Sequence, residues 1–166
     1  MKLKSLGIIA AAGLAALTLT ACGAAPGTGS AASKGTEIGK TFKLGYDLEL
    51  SGAVAAYGNA GKNGANLAVD EINKSGGING KQITVVSKDN KSDNAEAATV
   101  VSNLINNDKV NAVIGSMTSG AVKSMTPNIT KGAVPLVTPA GTDDTLTVTN
   151  GKVNDYIFRS TFQDSY

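Results

Sequence analysis

The residues that could do chemistry here are hydroxyls and backbone amides. The 166-residue sequence has no histidine. That excludes a Ser-His-Asp triad, a Cys-His dyad and any histidine-bearing zinc site. Its single cysteine, Cys22, excludes an internal disulfide framework and a Cys-x-x-Cys site. Three segments remain, each rich in small and hydroxyl side chains. They are Ser51-Gly52-Ala53-Val54-Ala55-Ala56-Tyr57-Gly58, Gly115-Ser116-Met117-Thr118-Ser119-Gly120 and Thr138-Pro139-Ala140-Gly141-Thr142. Hydroxyls beside the free N–H groups of a helix start suit a carboxylate, and an upstream carbonyl can take an ammonium. None of these segments holds a strong acid, base or thiol.

The enzyme readings fail residue by residue. Gly61-Lys62 is followed by Asn63, and Ala56 stands at the leading glycine position, so this is not a Walker A loop. No G-x-G-x-x-G follows the first strand pattern, and no cofactor is implied. Ser119 lacks the G-x-S-x-G elbow. Asp143-Asp144 reads as a helix-start or turn pair rather than as paired catalytic carboxylates.

The elements that must position these segments alternate strand with helix. In Thr41 to Leu50, Phe42, Leu44, Tyr46, Leu48 and Leu50 share one face of a strand. A helix over Asn59 to Asn73 carries Ala65, Ala68, Val69 and Ile72 in one stripe, and Ser75 to Gly80 stops it. Gln82 to Ser87 reads as a strand. Asp93 to Asn107 reads as a helix capped by Asp93 or Asn94, with Ala97, Val101, Leu104 and Ile105 inward. Val110 to Gly115 is strand-like, and Ser119 to Lys131 helical, with Pro127 forcing a kink or restart. Val134 to Thr138 and Tyr156 to Arg159 close the series. This order implies an α/β fold: a doubly wound parallel sheet with helices on both faces. Central parallel strands are apolar on both sides, yet Lys43, Asp47 and Glu49 occupy the first strand's second face. Either that face is only partly covered, or its cover lies outside this chain.

The beginning of the chain reads as an export signal. Lys2 and Lys4 precede an apolar run, Leu6 to Leu19, that is short for a membrane span. Leu19-Thr20-Ala21-Cys22 resembles the bacterial lipobox, which implies cleavage after residue 21 and a diacylglyceryl thioether on Cys22. Loss of Lys2 and Lys4 would bring the formal charge from +2 to zero. Such a balance indicates no basic face for nucleic acid. Residues 22–35 form a Gly/Ala/Ser/Thr tether, and the folded part spans 36–166.

The three segments, in this order, resemble the type I periplasmic-binding-protein family, in particular the branched-chain amino acid substrate-binding proteins of ABC importers. Also carrying the resemblance are Ala68-Val69-Asp70-Glu71-Ile72-Asn73 with Gly76-Gly77-Ile78-Asn79-Gly80, and Val134-Pro135-Leu136-Val137 ahead of the third segment. The resemblance implies a non-catalytic, extracytoplasmic, lipid-anchored and monomeric protein. It would capture leucine, isoleucine or valine between two lobes and deliver it to permease subunits in the membrane. A ligand-sensing lipoprotein of the same fold, for an amide, urea or aromatic acid, is the alternative. Ser119 and Thr142 would hold the α-carboxylate, and Thr142 and the carbonyl of Ala140 the ammonium. Tyr57 and Met117 would line the side-chain pocket, and Asp164 would lie near the cleft and hinge. Some members of that family have a disulfide between two early strand-end loops; Ser92 and Thr118 stand at the matching positions here, so none is expected. The chain would supply only an incomplete first lobe.

Overall fold

The computed structural model describes residues 35–166. The export signal, Cys22 and the tether up to residue 34 lie outside the described residues. Alternation of apolar and polar side chains makes β1 (Phe42–Leu48) a strand, and β2 (Ile83–Asp89), β3 (Ala112–Gly115), β4 (Leu136–Thr138) and β7 (Ile157–Arg159) join it. The sheet runs β2-β1-β3-β4-β7, with every neighbouring pair parallel. The connections are α1 (Ala55–Lys74), α2 (Asn94–Asn106) and α3 (Ser119–Gly132). The chain goes from β1 outward to β2, then returns past β1 to β3. The strand order therefore reverses between β1 and β3, the place where open parallel sheets bind ligands.

Two apolar layers enclose the sheet. On one side Leu104, Val122, Met125 and Ile129 of α2 and α3 pack on Val113, Leu136 and Ile157. On the other, Val69 of α1 packs on Leu44, Tyr46, Leu48 and Ile83. Helices therefore lie on both faces, as the sequence predicts. Of the two alternatives for the polar face of β1, partial cover is the one observed: Lys43, at its start, is exposed. Asp47 and Glu49, toward its end, are fully buried under α2 and α3, so their cover lies within this chain. The thinner cover is on the α1 side, where Val137 and Phe158 are 37% and 54% exposed.

Several elements differ from the sequence reading. Helix α1 begins at Ala55, four residues before the expected Asn59, so Tyr57 and Gly58 belong to its first turn. Gly58 lets that turn rest on the end of β1: a Cβ there would lie 2.0 Å from the Glu49 carbonyl oxygen. Within the α1 stripe Val69 is buried, but Ala68 and Ile72 are exposed. Among the described residues no second helix flanks α1, so only its line over β1 is covered. Helix α3 runs unbroken through Pro127; Val122 and Met125 before it, and Ile129 after it, are buried in the same layer. The sequence reading missed the antiparallel hairpin β5 (Val148–Thr149) and β6 (Lys152–Val153). Its signal was Asn150-Gly151, both at positive φ, the pair that a tight hairpin turn favours.

Beneath α2 and α3 the buried polar groups bond to one another. Asn90 Nδ2 donates to Asp47 Oδ1 at 3.0 Å and to Ser116 Oγ at 2.8 Å. Asp47 Oδ2 is buried and has no hydrogen-bond partner among the described residues. Desolvation pushes the Asp47 carboxyl up to about 8; the Asn90 bond pulls it back, while Glu49 and Glu96 push it further up. A neutral acid avoids the larger cost of an unpaired buried charge.

Two outcomes test this arrangement. Leu104→Ala, at a fully buried position, is expected to cost about 2–5 kcal/mol of unfolding free energy in urea titrations. Leu67→Ala, 62% exposed on α1, is expected to cost under about 0.5 kcal/mol. Asp47 is raised from its ordinary 3.8 to about 8 in the fold, so between those values the folded state holds a proton that the unfolded chain has lost. The stabilising contribution is complete below 3.8 and disappears as pH rises through about 8. Stability measured against Asp47→Asn should fall across that window; parallel curves would contradict a buried neutral Asp47.

Candidate functional site

The loops after β1, β3 and β4 meet at the carboxyl edge of the sheet, and carboxylates at the strand ends hold two of them. Asp89, the last residue of β2, holds the loop after β1. Its Oδ1 accepts from Leu50 N at 3.0 Å, Ser51 N at 3.1 Å and Lys91 N at 2.8 Å, and its Oδ2 from Ser51 Oγ at 2.6 Å. Slight burial pushes Asp89 up, but the bonds from Ser51, Lys91 and Leu50 outweigh it and hold the carboxyl below its ordinary range. Ser92 adds a strut: its Oγ donates to Ser51 O at 2.7 Å and accepts from Val54 N at 3.2 Å. Ser92 thus braces the loop after β1 from the loop after β2.

Glu49 holds the loop after β3. Its Oε1 accepts from Ser116 Oγ at 2.7 Å, Thr118 Oγ1 at 2.9 Å and Thr118 N at 3.2 Å, and its Oε2 accepts from Met117 N at 3.0 Å. The chain can turn this closely because residue 115 is glycine: its φ is +134°, and a Cβ would lie 2.0 Å from Asp47 O. Thr138 ties this loop to the next one. Its Oγ1 donates to Ser116 O at 2.6 Å and accepts from Gly141 N at 2.9 Å.

These ties bring Ser119 and Thr142 together. Ser119 is the first residue of α3, and Thr118 is the N-cap, so Ser119 does not cap its own helix. Its Oγ accepts from Thr142 N at 3.2 Å and Asp143 N at 3.1 Å. Both acceptor sites of the hydroxyl are thereby filled, and its proton is left to donate. Beside it stand the first-turn amides of α3, which a helix leaves unpaired. Ala140 sits half-buried in the turn that Thr138 pins. The Asp164 side chain is exposed, and its backbone N–H donates to Thr142 O at 2.9 Å.

The two side-chain candidates are placed less closely. Tyr57 is 64% exposed on the first turn of α1. Met117 is half-buried and lies against α1, its sulfur 2.9 Å from where a Cβ on Gly61 would be. Next to it a groove of 430 Å³ runs between α1 and the sheet, lined by Gly61, Gly64, Ala65, Ile114, Val137, Pro139 and Ser160. Ser119 and Thr142 lie outside the groove.

Sequence reasoning missed Glu49, Asp89 and Arg159 as parts of this edge. Arg159, the only arginine in the sequence, donates from Nη1 to Thr142 O at 3.2 Å and to Asp143 O at 2.9 Å. That rarity was its one signal. Asp143 pairs with Lys123 and accepts from Thr145 N and Oγ1. Those bonds, Lys123 first, hold it well below the ordinary carboxylate range, and it behaves as the turn residue that the sequence suggested. No group of three or more His, Cys, Asp or Glu side chains suited to a metal occurs among the described residues. A cavity of 500 Å³ lies at the opposite sheet edge, between Gly35–Glu37 and the ends of α2 and α3, away from all of these loops.

Comparison with known proteins identifies the family. The family described as periplasmic binding protein matches residues 41–166. The leucine-, isoleucine-, valine-, threonine- and alanine-binding protein of Pseudomonas aeruginosa is 32% identical over 120 residues, covering 72% of this chain and 31% of that protein. The Leu/Ile/Val-binding protein of Escherichia coli K12 is 33% identical over 128 residues, covering 77% and 34%. Among solved structures, the branched-chain amino acid transporter substrate binding protein LivJ from Streptococcus pneumoniae, in complex with isoleucine, is 56% identical, with a TM-score of 0.72 over 76% of this chain and 35% of that one. A solute binding protein from Rhodopseudomonas palustris, in complex with 3,4-dihydroxybenzoic acid, is 29% identical, with a TM-score of 0.66 over 75% and 33%. The chain spans about a third of the length of these relatives. They are binding proteins rather than enzymes. Fold and sequence match converge, and the chain belongs to the periplasmic binding protein family.

Proposed function

We propose that this chain is part of the ligand-capturing lobe of an extracytoplasmic solute-binding protein that serves an ABC importer, and that the ligand is a branched-chain or other aliphatic amino acid. The observation that carries the reading is the pairing of Ser119 with Thr142, which joins the loops after β3 and β4 next to the β1/β3 reversal and sets a hydroxyl proton beside unpaired helix amides. That pairing suits an α-carboxylate. The Thr142 hydroxyl and the Ala140 carbonyl suit the ammonium. Tyr57 and Met117 flank the side chain, and Asp164, bonded to Thr142, lies toward a hinge. The 56% identity to a protein crystallised with isoleucine, against 29% to one holding a dihydroxybenzoic acid, favours the aliphatic ligand over an aromatic acid.

In this reading residues 1–21 are a signal peptide, Cys22 carries the lipid, 22–35 are the tether and 36–166 the lobe. Two lipid chains on one cysteine meet the condition for stable anchoring. Ligand contacts on two lobes would favour a closed form, by no more than their differential affinity for it. Permease subunits would then receive the ligand.

Ser119→Ala and Thr142→Ala, made in the full-length protein, are each expected to weaken binding of leucine or isoleucine by about 1–3 kcal/mol. Titration calorimetry reads this directly. Unchanged affinity in both variants would remove these residues from the site.

A further inference from the structure

Glu49 does more than hold a loop. It is fully buried, and all four of its partners donate: Ser116 Oγ, Met117 N, Thr118 N and Thr118 Oγ1. A side chain that accepts at both oxygens serves as a carboxylate anion. Among the described residues it forms no salt bridge. Its nearest buried acidic neighbour, Asp47, brings no cation either. The charge is therefore balanced by the loop donors and by the positive end of α3. Ser119 follows Thr118 directly, so the resident anion sits under the same helix terminus that a ligand carboxylate would use.

Resting on the amino acid reading above, we propose that Glu49 is a specificity-determining residue, which selects ligands whose carboxylate is balanced by an ammonium over plain carboxylate anions. The physical reason is competition for one positive end. A helix terminus offers roughly half an elementary charge, and Glu49 already draws on it. A second carboxylate meets that reduced potential together with repulsion across a site of low dielectric. A zwitterion regains the loss, because its ammonium is attracted to Glu49 while its carboxylate is repelled. A simple anion regains nothing.

The test compares leucine with 4-methylpentanoate, the same molecule without its amino group, by calorimetry on the full-length protein. Glu49→Gln keeps the volume and removes the charge. Glu49→Ala also removes the charge and leaves room for water on the loop amides. In both variants the ratio of the two dissociation constants, anion over zwitterion, is expected to fall by about tenfold. Thr118→Val removes one bond to Glu49 but keeps the charge, and is expected to leave the ratio unchanged. If both ligands weaken by a common factor in the Glu49 variants, the residue is only a brace and the proposal is overturned. Amide exchange at Met117 and Thr118 should quicken in Glu49→Ala without any ligand, and unchanged exchange would overturn the tie itself. Failure of the wild-type protein to bind any aliphatic amino acid would count against the amino acid reading and would remove this proposal with it.

Discussion

A loop that must offer hydroxyl protons and amide N–H groups to a ligand cannot be held in place by those same groups. In this protein the holding is done from below, by carboxylates at the ends of strands. Asp89 takes the amides and hydroxyl of the loop after β1, and Glu49 takes those of the loop after β3. Thr138 links that loop to the turn after β4. The donors used for structure are those of Leu50, Ser51, Ser116, Met117 and Thr118. Those left over belong to Ser119 and the first turn of α3. The register of the parallel sheet sets this division, because β1 pairs with β2 and with β3 such that Asp47 lies opposite both Lys88 and Gly115. Slipping one strand by a residue would turn its side chains to the other face.

The two sides of the sheet contribute differently. Under α2 and α3 the apolar packing of Leu104, Val122 and Met125 continues toward the carboxyl edge as a polar cluster of Asp47, Glu49, Asn90 and Ser116. Burial of those groups is costly, and the fold limits the cost by hydrogen-bonding Glu49 fully and by leaving a proton on Asp47. The α1 side has no such cluster. It is apolar, thinly covered and open in a groove that ends near Pro139 and Ser160. One side of the sheet thus anchors the polar contacts, and the other offers apolar surface beside them.

Much of this was legible in the sequence where the cause is local. The alternation of Phe42, Leu44, Tyr46 and Leu48 marks β1, and Asp93 marks the start of α2, where its side chain accepts from Glu96 N at 2.7 Å. The alternating order of elements implies the parallel sheet, and with it the gathering of three distant loops at one edge. What stayed hidden depends on partners far along the chain. By residue type Asp47 and Glu49 look like solvent-facing positions. Their burial depends on Asn90 and Ser116, 43 and 67 residues away, and no local pattern records such pairs. The continuity of α3 through Pro127 is likewise a tertiary effect. Asn150-Gly151 was legible and unread. Ser119 and Thr142 were identified as site residues, yet their direct hydrogen bond, which leaves the serine proton free, is a fact of the fold alone.

The most direct measurement is a crystal structure of the full-length protein grown with isoleucine. The α-carboxylate is expected within hydrogen-bond reach of the Ser119 hydroxyl and the first turn of α3, and the ammonium facing the Thr142 hydroxyl and the Ala140 carbonyl. A ligand seated elsewhere, for example in the cavity between Glu37, Lys109 and Lys131 at the opposite edge, with Ser119 and Thr142 bonded only to each other, would contradict that placement.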